Sequence, residues 1–300
     1  MDSLKALFTS QLGPEMEDPE EDPPETFILF SQDIPSQNLG FIDPSASTLE
    51  LTVAGRDLTI HQSPGILSST RSGGTTGAVV WKVTPLFAEW ISTPNNILAS
   101  AGVISQSSSV LELGCGTSAV VGLVLAPSVA SFTMTDQSYV ARLVEQNVQE
   151  NSSSLKSKVV KGRRAKSAPQ QQHQQQGLRF MPLDWETDQV TASLTGSPQA
   201  MSFDLVIACD CIYNESLIDP LAQTCVDACK LREAEAALSS DGTSLPTVCV
   251  VAQQLRDPDI FESWIKRFHR SFQVWRVPDP SLSEGLRSTS GFVVHVGLLR

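Results

Sequence analysis

Basic residues are scarce in this sequence. Its 300 residues hold 21 Lys and Arg against 33 Asp and Glu, a formal net charge of −12. That balance argues against nonspecific binding of DNA or RNA, whose phosphates favour a basic face. It is compatible with a basic protein as partner. Long apolar runs are also missing, and none approaches the length needed to span a bilayer. The opening Met1-Asp2-Ser3-Leu4-Lys5 lacks the basic-then-apolar pattern of a secretory signal. We therefore expect no membrane association and a cytoplasmic protein, or a nuclear one, with reduced thiols. The six cysteines, at 115, 209, 211, 225, 229 and 249, include no CxxC pair. Cys209-x-Cys211 and Cys225-xxx-Cys229 come nearest to a zinc set. All but Cys115 sit in apolar runs, where a thiol behaves as a small buried hydrophobe, so no metal is expected. The four histidines, 61, 173, 269 and 295, fall in no acid/base motif, which weakens the case for a hydride-transferring dehydrogenase.

The charge is unevenly spread. Residues 1–25 carry a net −7, residues 156–166 carry six Lys or Arg and no acid, and the remainder carries −11. Residues 1–45 read as an acidic, disordered tail. Residues 152–177 pass through serines, the basic cluster and a glutamine tract, and read as a low-complexity insertion with little to bury. The rest, 46–300, is 41 % apolar as part of the whole chain and long enough for one large α/β domain.

Around Ala54-Gly55 the pattern alternates, with Leu49, Leu51 and Val53 before the turn and Leu58 and Ile60 after it. That predicts a β-hairpin over 48–61. From Ser109 onward, short apolar strands alternate with amphipathic helices. Strands are predicted at 109–113, 131–135, 178–182, 203–209 and 247–252, and helices near 118–126, 138–150, 215–238 and 258–270. Repeated β-α-β units imply a mainly parallel, doubly wound Rossmann-like sheet. Two last strands, 272–277 and 291–299, lack a helix between them and predict an antiparallel hairpin at the sheet edge.

The first βα turn reads Glu112-Leu113-Gly114-Cys115-Gly116-Thr117. Glycine at 114 and 116 lets main chain approach a ligand where a Cβ would collide, the usual cofactor cradle of such sheets. The turn alone does not separate a nicotinamide from a methionine-derived cofactor. Glu112 favours the second: a carboxylate there suits a cationic amino group and is awkward beside a pyrophosphate. Asp136 ends the next strand, where an acid accepts bonds from ribose hydroxyls or caps the following helix. Asp184-Trp185 follows the third strand and suits an adenine, an indole beside the ring and a carboxylate for its exocyclic amine. A turn with a packed tryptophan explains the pair equally. Trp81 is either a core aromatic or a wall near a sulfonium. The fourth strand ends at Cys209 and runs into Asp210-Cys211-Ile212-Tyr213. Ligands lie outside the carboxyl ends of such strands. Asp210 is therefore read as capturing an incoming ammonium, with the Tyr213 ring alongside it.

Taken together, these residues resemble methyltransferase family 16, the seven-β-strand lysine methyltransferases. The likeness runs from about Thr48 to Arg300, outside the insertion. Its landmarks are Gln62, Thr76-Gly77, Val80-Trp81, the 112–117 turn, Asp136, Asp184-Trp185, Asp210-x-x-Tyr213 and Arg256. Within the family, Val80-Trp81-Lys82-Val83-Thr84, Asp136-Gln137 and Asp210-Cys211-Ile212-Tyr213-Asn214-Glu215 resemble the fungal ribosomal lysine N-methyltransferase 5 group. The chain departs from the family at Lys82, where many members carry Asp, and at Ser118, where many carry Gly.

The resemblance implies S-adenosylmethionine as cofactor, held by Trp81, Glu112, Gly114, Cys115, Gly116, Asp136, Asp184, Trp185 and Cys209. It implies Asp210 and Tyr213 as catalytic residues, and an in-line attack by a neutral lysine nitrogen aligned mainly by proximity. The expected acceptor is a basic protein of the large ribosomal subunit, and the expected state a monomer. Two rivals share the fold: methylation of another protein or of a nucleic-acid amine, and a non-catalytic S-adenosylmethionine-binding module.

Overall fold

The hairpin at the start of the domain forms as its alternation predicts. In the computed structural model, which describes residues 2–19, 25–35, 39–70, 74–152, 177–197, 200–238 and 245–300, β1 (Thr48–Val53) pairs antiparallel with β2 (Arg56–His61). Ala54 and Gly55 both take positive φ, 51° and 71°. Those values suit the tight two-residue turn whose twist matches the strands.

The main sheet has seven strands: β3 (Ser109–Leu113), β4 (Ser131–Asp136), β5 (Leu178–Pro182), β6 (Leu205–Cys209), β7 (Val248–Gln254), β8 (Phe272–Arg276) and β9 (Phe292–Leu299). Their order is β5-β4-β3-β6-β7-β9-β8. The first five run parallel, and β9 pairs antiparallel with both β7 and β8. Every residue of β3, β6 and β7 is buried, as expected of strands covered on both faces. The chain reverses direction of winding at β3 and β6, whose carboxyl ends sit side by side.

Nine α-helices are described: α1 (Asp2–Leu12), α2 (Glu25–Phe30), α3 (Pro64–Leu67), α4 (Val83–Ile91), α5 (Ile97–Ser100), α6 (Val120–Leu125), α7 (Ala141–Asn151), α8 (Ile218–Leu238) and α9 (Pro258–Ser271). One layer of core joins α4, α6 and α7 to the sheet, and the other joins α8 and α9 to it. The second is anchored by Phe261, Trp264, Ile265 and Phe268, at the spacing of one helical face. Asp257 starts α9 by accepting from the Asp259 and Ile260 amides at 2.9 and 3.1 Å. Helix α6 starts later than predicted, because Ala119 is left-handed at φ 55°. No helix among the described residues is long and apolar enough to cross a membrane.

The tail reading of residues 1–45 needs correction over its described parts. Leu4, Phe8 and Leu12, spaced by four, form one buried stripe on α1. Phe8 meets Trp275 of β8 edge to face, with ring centroids 5.6 Å apart. Two of the acids here are paired: Glu15 with Lys5 and Arg300, and Glu25 with Arg276 at 3.0 Å. High net charge hid a short amphipathic stripe. Phe8→Ala is accordingly expected to cost about 3–5 kcal/mol, read as a lower denaturant midpoint. An unchanged midpoint would mean that α1 is not docked. The low-complexity reading of 152–177 falls, apart from its two end residues, outside the described residues.

Two asparagines tie α7 to β2. Asn147 accepts from the His61 amide and donates to the His61 carbonyl, at 2.7 and 2.9 Å. Asn151 does the same for Thr59, at 3.0 and 2.9 Å. Asn147 also donates to the Thr117 carbonyl at 2.7 Å, so the hairpin, α7 and the glycine turn are fixed to one another.

Candidate active site

A cleft of about 800 Å³, open to solvent, lies across the carboxyl ends of β3, β4 and β6. Its floor is the glycine turn. Gly114 and Gly116 are left-handed, at φ 70° and 59°. A Cβ on Gly114 would lie 2.6 Å from the Cys211 Sγ and 3.1 Å from Trp185 Cζ2. The Thr117 amide donates to the Gly77 carbonyl at 2.7 Å, which brings the 74–81 segment over the turn. Gln62 positions that segment: it is buried, donates to the Asp43 and Ala46 carbonyls, and accepts from the Val80 amide at 3.0 Å.

Trp81, Gly114, Cys115, Gly116, Asp136, Asp184, Trp185, Cys209, Asp210 and Tyr213 all line this one cleft. Glu112 is buried behind the turn, 2 % exposed. Tyr139 and Leu217 also line it and were not singled out in the sequence, and Thr84, which lines it too, was named only within the 80–84 string. Only the position of Ser138-Tyr139, directly after the Asp136 strand end, pointed towards one of them.

Asp136 accepts from the Gly116 amide at 2.8 Å and from its neighbour Gln137 at 2.7 Å. Burial raises its pKa to about 6, against the lowering effect of those two bonds. Burial and then the nearby Asp136 charge push Glu112 up to about 8. Burial likewise holds the thiols of Cys115, Cys209 and Cys211 well above the usual range, so all three stay neutral. Cys211 donates to the Leu113 carbonyl at 3.2 Å.

Asp210 departs from its sequence reading as an open carboxylate. It is left-handed at φ 59°, and its side chain is 1 % exposed. Arg256 Nη1 and Nη2 donate to its two oxygens at 2.7 and 2.6 Å. The residue as a whole is 7 % exposed, so what it shows to the cleft is main chain. The pairing was invisible because it joins β6 to the segment after β7, 46 residues on. Tyr213 is 38 % exposed and shares a side-chain hydrogen bond with Thr76. It stands as a wall at the mouth.

The family model described as lysine methyltransferase matches residues 61–163 and 165–239. The chain belongs to that family. A relative named ribosomal lysine N-methyltransferase 5, from Zygosaccharomyces rouxii, is 30 % identical over 249 residues, 76 % of each chain. A diaminohydroxyphosphoribosylamino-pyrimidine deaminase of Schizosaccharomyces pombe is 25 % identical over 83 % of this chain, which spans about half of that protein, 51 %. Among solved structures, a methyltransferase from Pyrococcus furiosus aligns at 11 % identity with a TM-score of 0.43. It covers 80 % of this chain and 88 % of that one.

This family member is a methyltransferase that uses S-adenosylmethionine, and the cleft suits that cofactor. Glu112 Oε2 and Trp185 Nε1 are buried atoms without a hydrogen-bond partner. An orphaned carboxylate behind a glycine cradle fits a ligand with a cationic amino group and a sulfonium, and the indole N–H can serve an adenine acceptor. A Cβ on Gly114 would meet Cys211 and Trp185, and one on Gly116 would meet the Gly77 carbonyl, so the close packing of the turn under the cleft requires glycine at both positions.

Two expectations follow for these carboxylates. On the expectation that Asp136 accepts from the ribose, Asp136→Ala is expected to weaken cofactor binding by about 1.5–3 kcal/mol. Unchanged affinity by calorimetry removes the ribose assignment. For Glu112, the folded-state pKa lies above the unfolded value. Its contribution to ligand-free stability is therefore full below about pH 4.5 and is lost as pH rises through about 8. A cationic ligand reverses the preference, so cofactor binding at pH 7 is expected to release a proton. Titrations in two buffers of different ionisation enthalpy are expected to show that release in the native protein and not in Glu112→Gln.

Proposed function

We propose that this chain methylates a lysine of a basic protein, and that the protein belongs to the large ribosomal subunit. The observation that carries this reading is the 30 % identity, over three quarters of both chains, to a relative named ribosomal lysine N-methyltransferase. The net charge of −12 supports a basic partner. Six cysteines, all buried and free, suit a reducing compartment, and we place the reaction in the cytoplasm. We take the working unit to be one chain.

S-adenosylmethionine, when bound, supplies a methyl group on a sulfonium. The residues we assign to hold it are Trp81, Glu112, Gly114, Cys115, Gly116, Asp136, Asp184, Trp185 and Cys209. Asp136 takes the ribose, Asp184 and Trp185 the adenine, and Glu112 the amino group. Asp210 and Tyr213 are assigned to the acceptor. Asp210 fixes the turn at the end of β6, and Tyr213 excludes water and aligns the incoming nitrogen. Catalysis then rests on proximity and orientation.

Incubating the protein with labelled S-adenosylmethionine and ribosomes from cells lacking it tests this directly. Label is expected on one lysine of a large-subunit protein, located by mass spectrometry. Label confined to RNA, or to no ribosomal protein, overturns the substrate assignment.

A further inference from the structure

Arg256 is held from several sides. Its guanidinium takes both oxygens of Asp210, and lies 4.8 Å from the centroid of the Trp81 ring. Its Nε donates to the Leu39 carbonyl at 3.3 Å. A Cβ on Gly40 would come within 2.7 Å of its Nη2, so the 39–41 segment closes over it. It thus joins two walls of the cleft, Trp81 and the Asp210 turn.

A methyl acceptor must bring a lone pair, and an ammonium has none. A free carboxylate beside the acceptor stabilises the ammonium, while a cation destabilises it. We propose that Arg256 is a positioning residue that decides the charge of the acceptor: by occupying Asp210 it denies an incoming ammonium its ion partner and admits the neutral amine. This rests on the lysine reading above. The other titratable groups facing the pair do not take over the role. Cys209 and Cys211 are kept neutral by burial, Glu112 is buried behind the turn and is assigned to the cofactor's amino group rather than to the acceptor, and Tyr213 is pushed up by burial. Asp136 is charged at pH 7, but its oxygens are bonded to the Gly116 and Gln137 amides.

Two measurements test the assignment. In the first, protein loaded with S-adenosylhomocysteine is titrated at pH 8 with n-butylamine, a lysine side-chain mimic, in two buffers of different ionisation enthalpy. The native protein is expected to release a proton as it binds, and Arg256→Gln to bind without release. Equal release in both, or no binding by the native protein, overturns the proposal. In the second, methyl transfer to ribosomal protein is followed against pH. Arg256→Gln is expected to move the alkaline rise in kcat, which reports the bound acceptor, upward by about one pH unit or more. Arg256→Lys keeps the charge and is expected to stay near the native midpoint. The double variant Arg256→Gln with Asp210→Asn is slower, but its midpoint is expected to return. A uniform loss of rate with an unmoved midpoint means that Arg256 is only a strut. If the native protein transfers nothing to protein lysine, the lysine reading fails, while the butylamine titration still judges Arg256.

Discussion

Asp210→Asn is expected to cut methyl transfer roughly a hundredfold while the cofactor still binds. The substitution keeps the shape of the side chain and removes its charge. Arg256 then loses one of two charge-assisted bonds, and the clamp on the left-handed turn at φ 59° is weakened. An L-residue in that conformation carries about 1–2 kcal/mol of strain, so a weakened clamp lets the strand end relax. The acceptor is then misaligned, although Gly114, Asp136 and Trp185 are untouched. Asp210→Ala is the harsher variant, because removing one partner of a buried pair costs about 3–5 kcal/mol. Tyr213→Ala is expected to match the hundredfold loss with less effect on stability, since its ring is partly exposed. Calorimetry with S-adenosylhomocysteine separates the outcomes. Full activity in the Asn variant would show that the ion pair has no part in alignment, and loss of cofactor from both Ala variants would place the acceptor elsewhere.

Gly114→Ala is expected to abolish measurable cofactor binding. Alanine at φ 70° is strained by about 1–2 kcal/mol from the backbone alone. Its Cβ would also meet the Cys211 Sγ at 2.6 Å and the Trp185 ring at 3.1 Å. The thiol cannot easily move, because it is buried and bonded to the Leu113 carbonyl. Trp185 must therefore swing away, and with it the proposed adenine wall. Adding Cys211→Ala removes the closer contact and is expected to restore part of the affinity. If the single variant binds as tightly as the native protein, the turn is not the cradle.

What could be read in advance follows the range of the forces involved. Strands β3 and β5 have their predicted bounds, because short apolar runs between turn residues carry their own signal. The C-terminal hairpin was legible because no helix-length segment separates its strands. Helices α1 and α2 were missed because eleven- and six-residue elements amid many acids look like a charged tail until α1 finds β8 and α2 finds α9. The cleft residues announced themselves by sitting at strand ends, which topology alone brings together. The Asp210–Arg256 pair did not, since it depends on a backbone angle and on a partner from another strand. Neither did Asn147 and Asn151, whose bonds go to main chain far away in sequence; Gln62 stood out as a family landmark, but its bonds did not.

The clasp of Asn147 and Asn151 on β2 has a consequence for solubility. A two-stranded hairpin exposes two rows of unpaired amides and carbonyls, each a template for another chain. On the β2 side, that row is already occupied: the carboxamides of α7 exchange both bonds with Thr59 and with His61. One face of a helix thus stands in for a neighbouring strand without offering a new edge of its own. The ribbon can neither be lengthened into a larger sheet on that side nor zip onto a second molecule there.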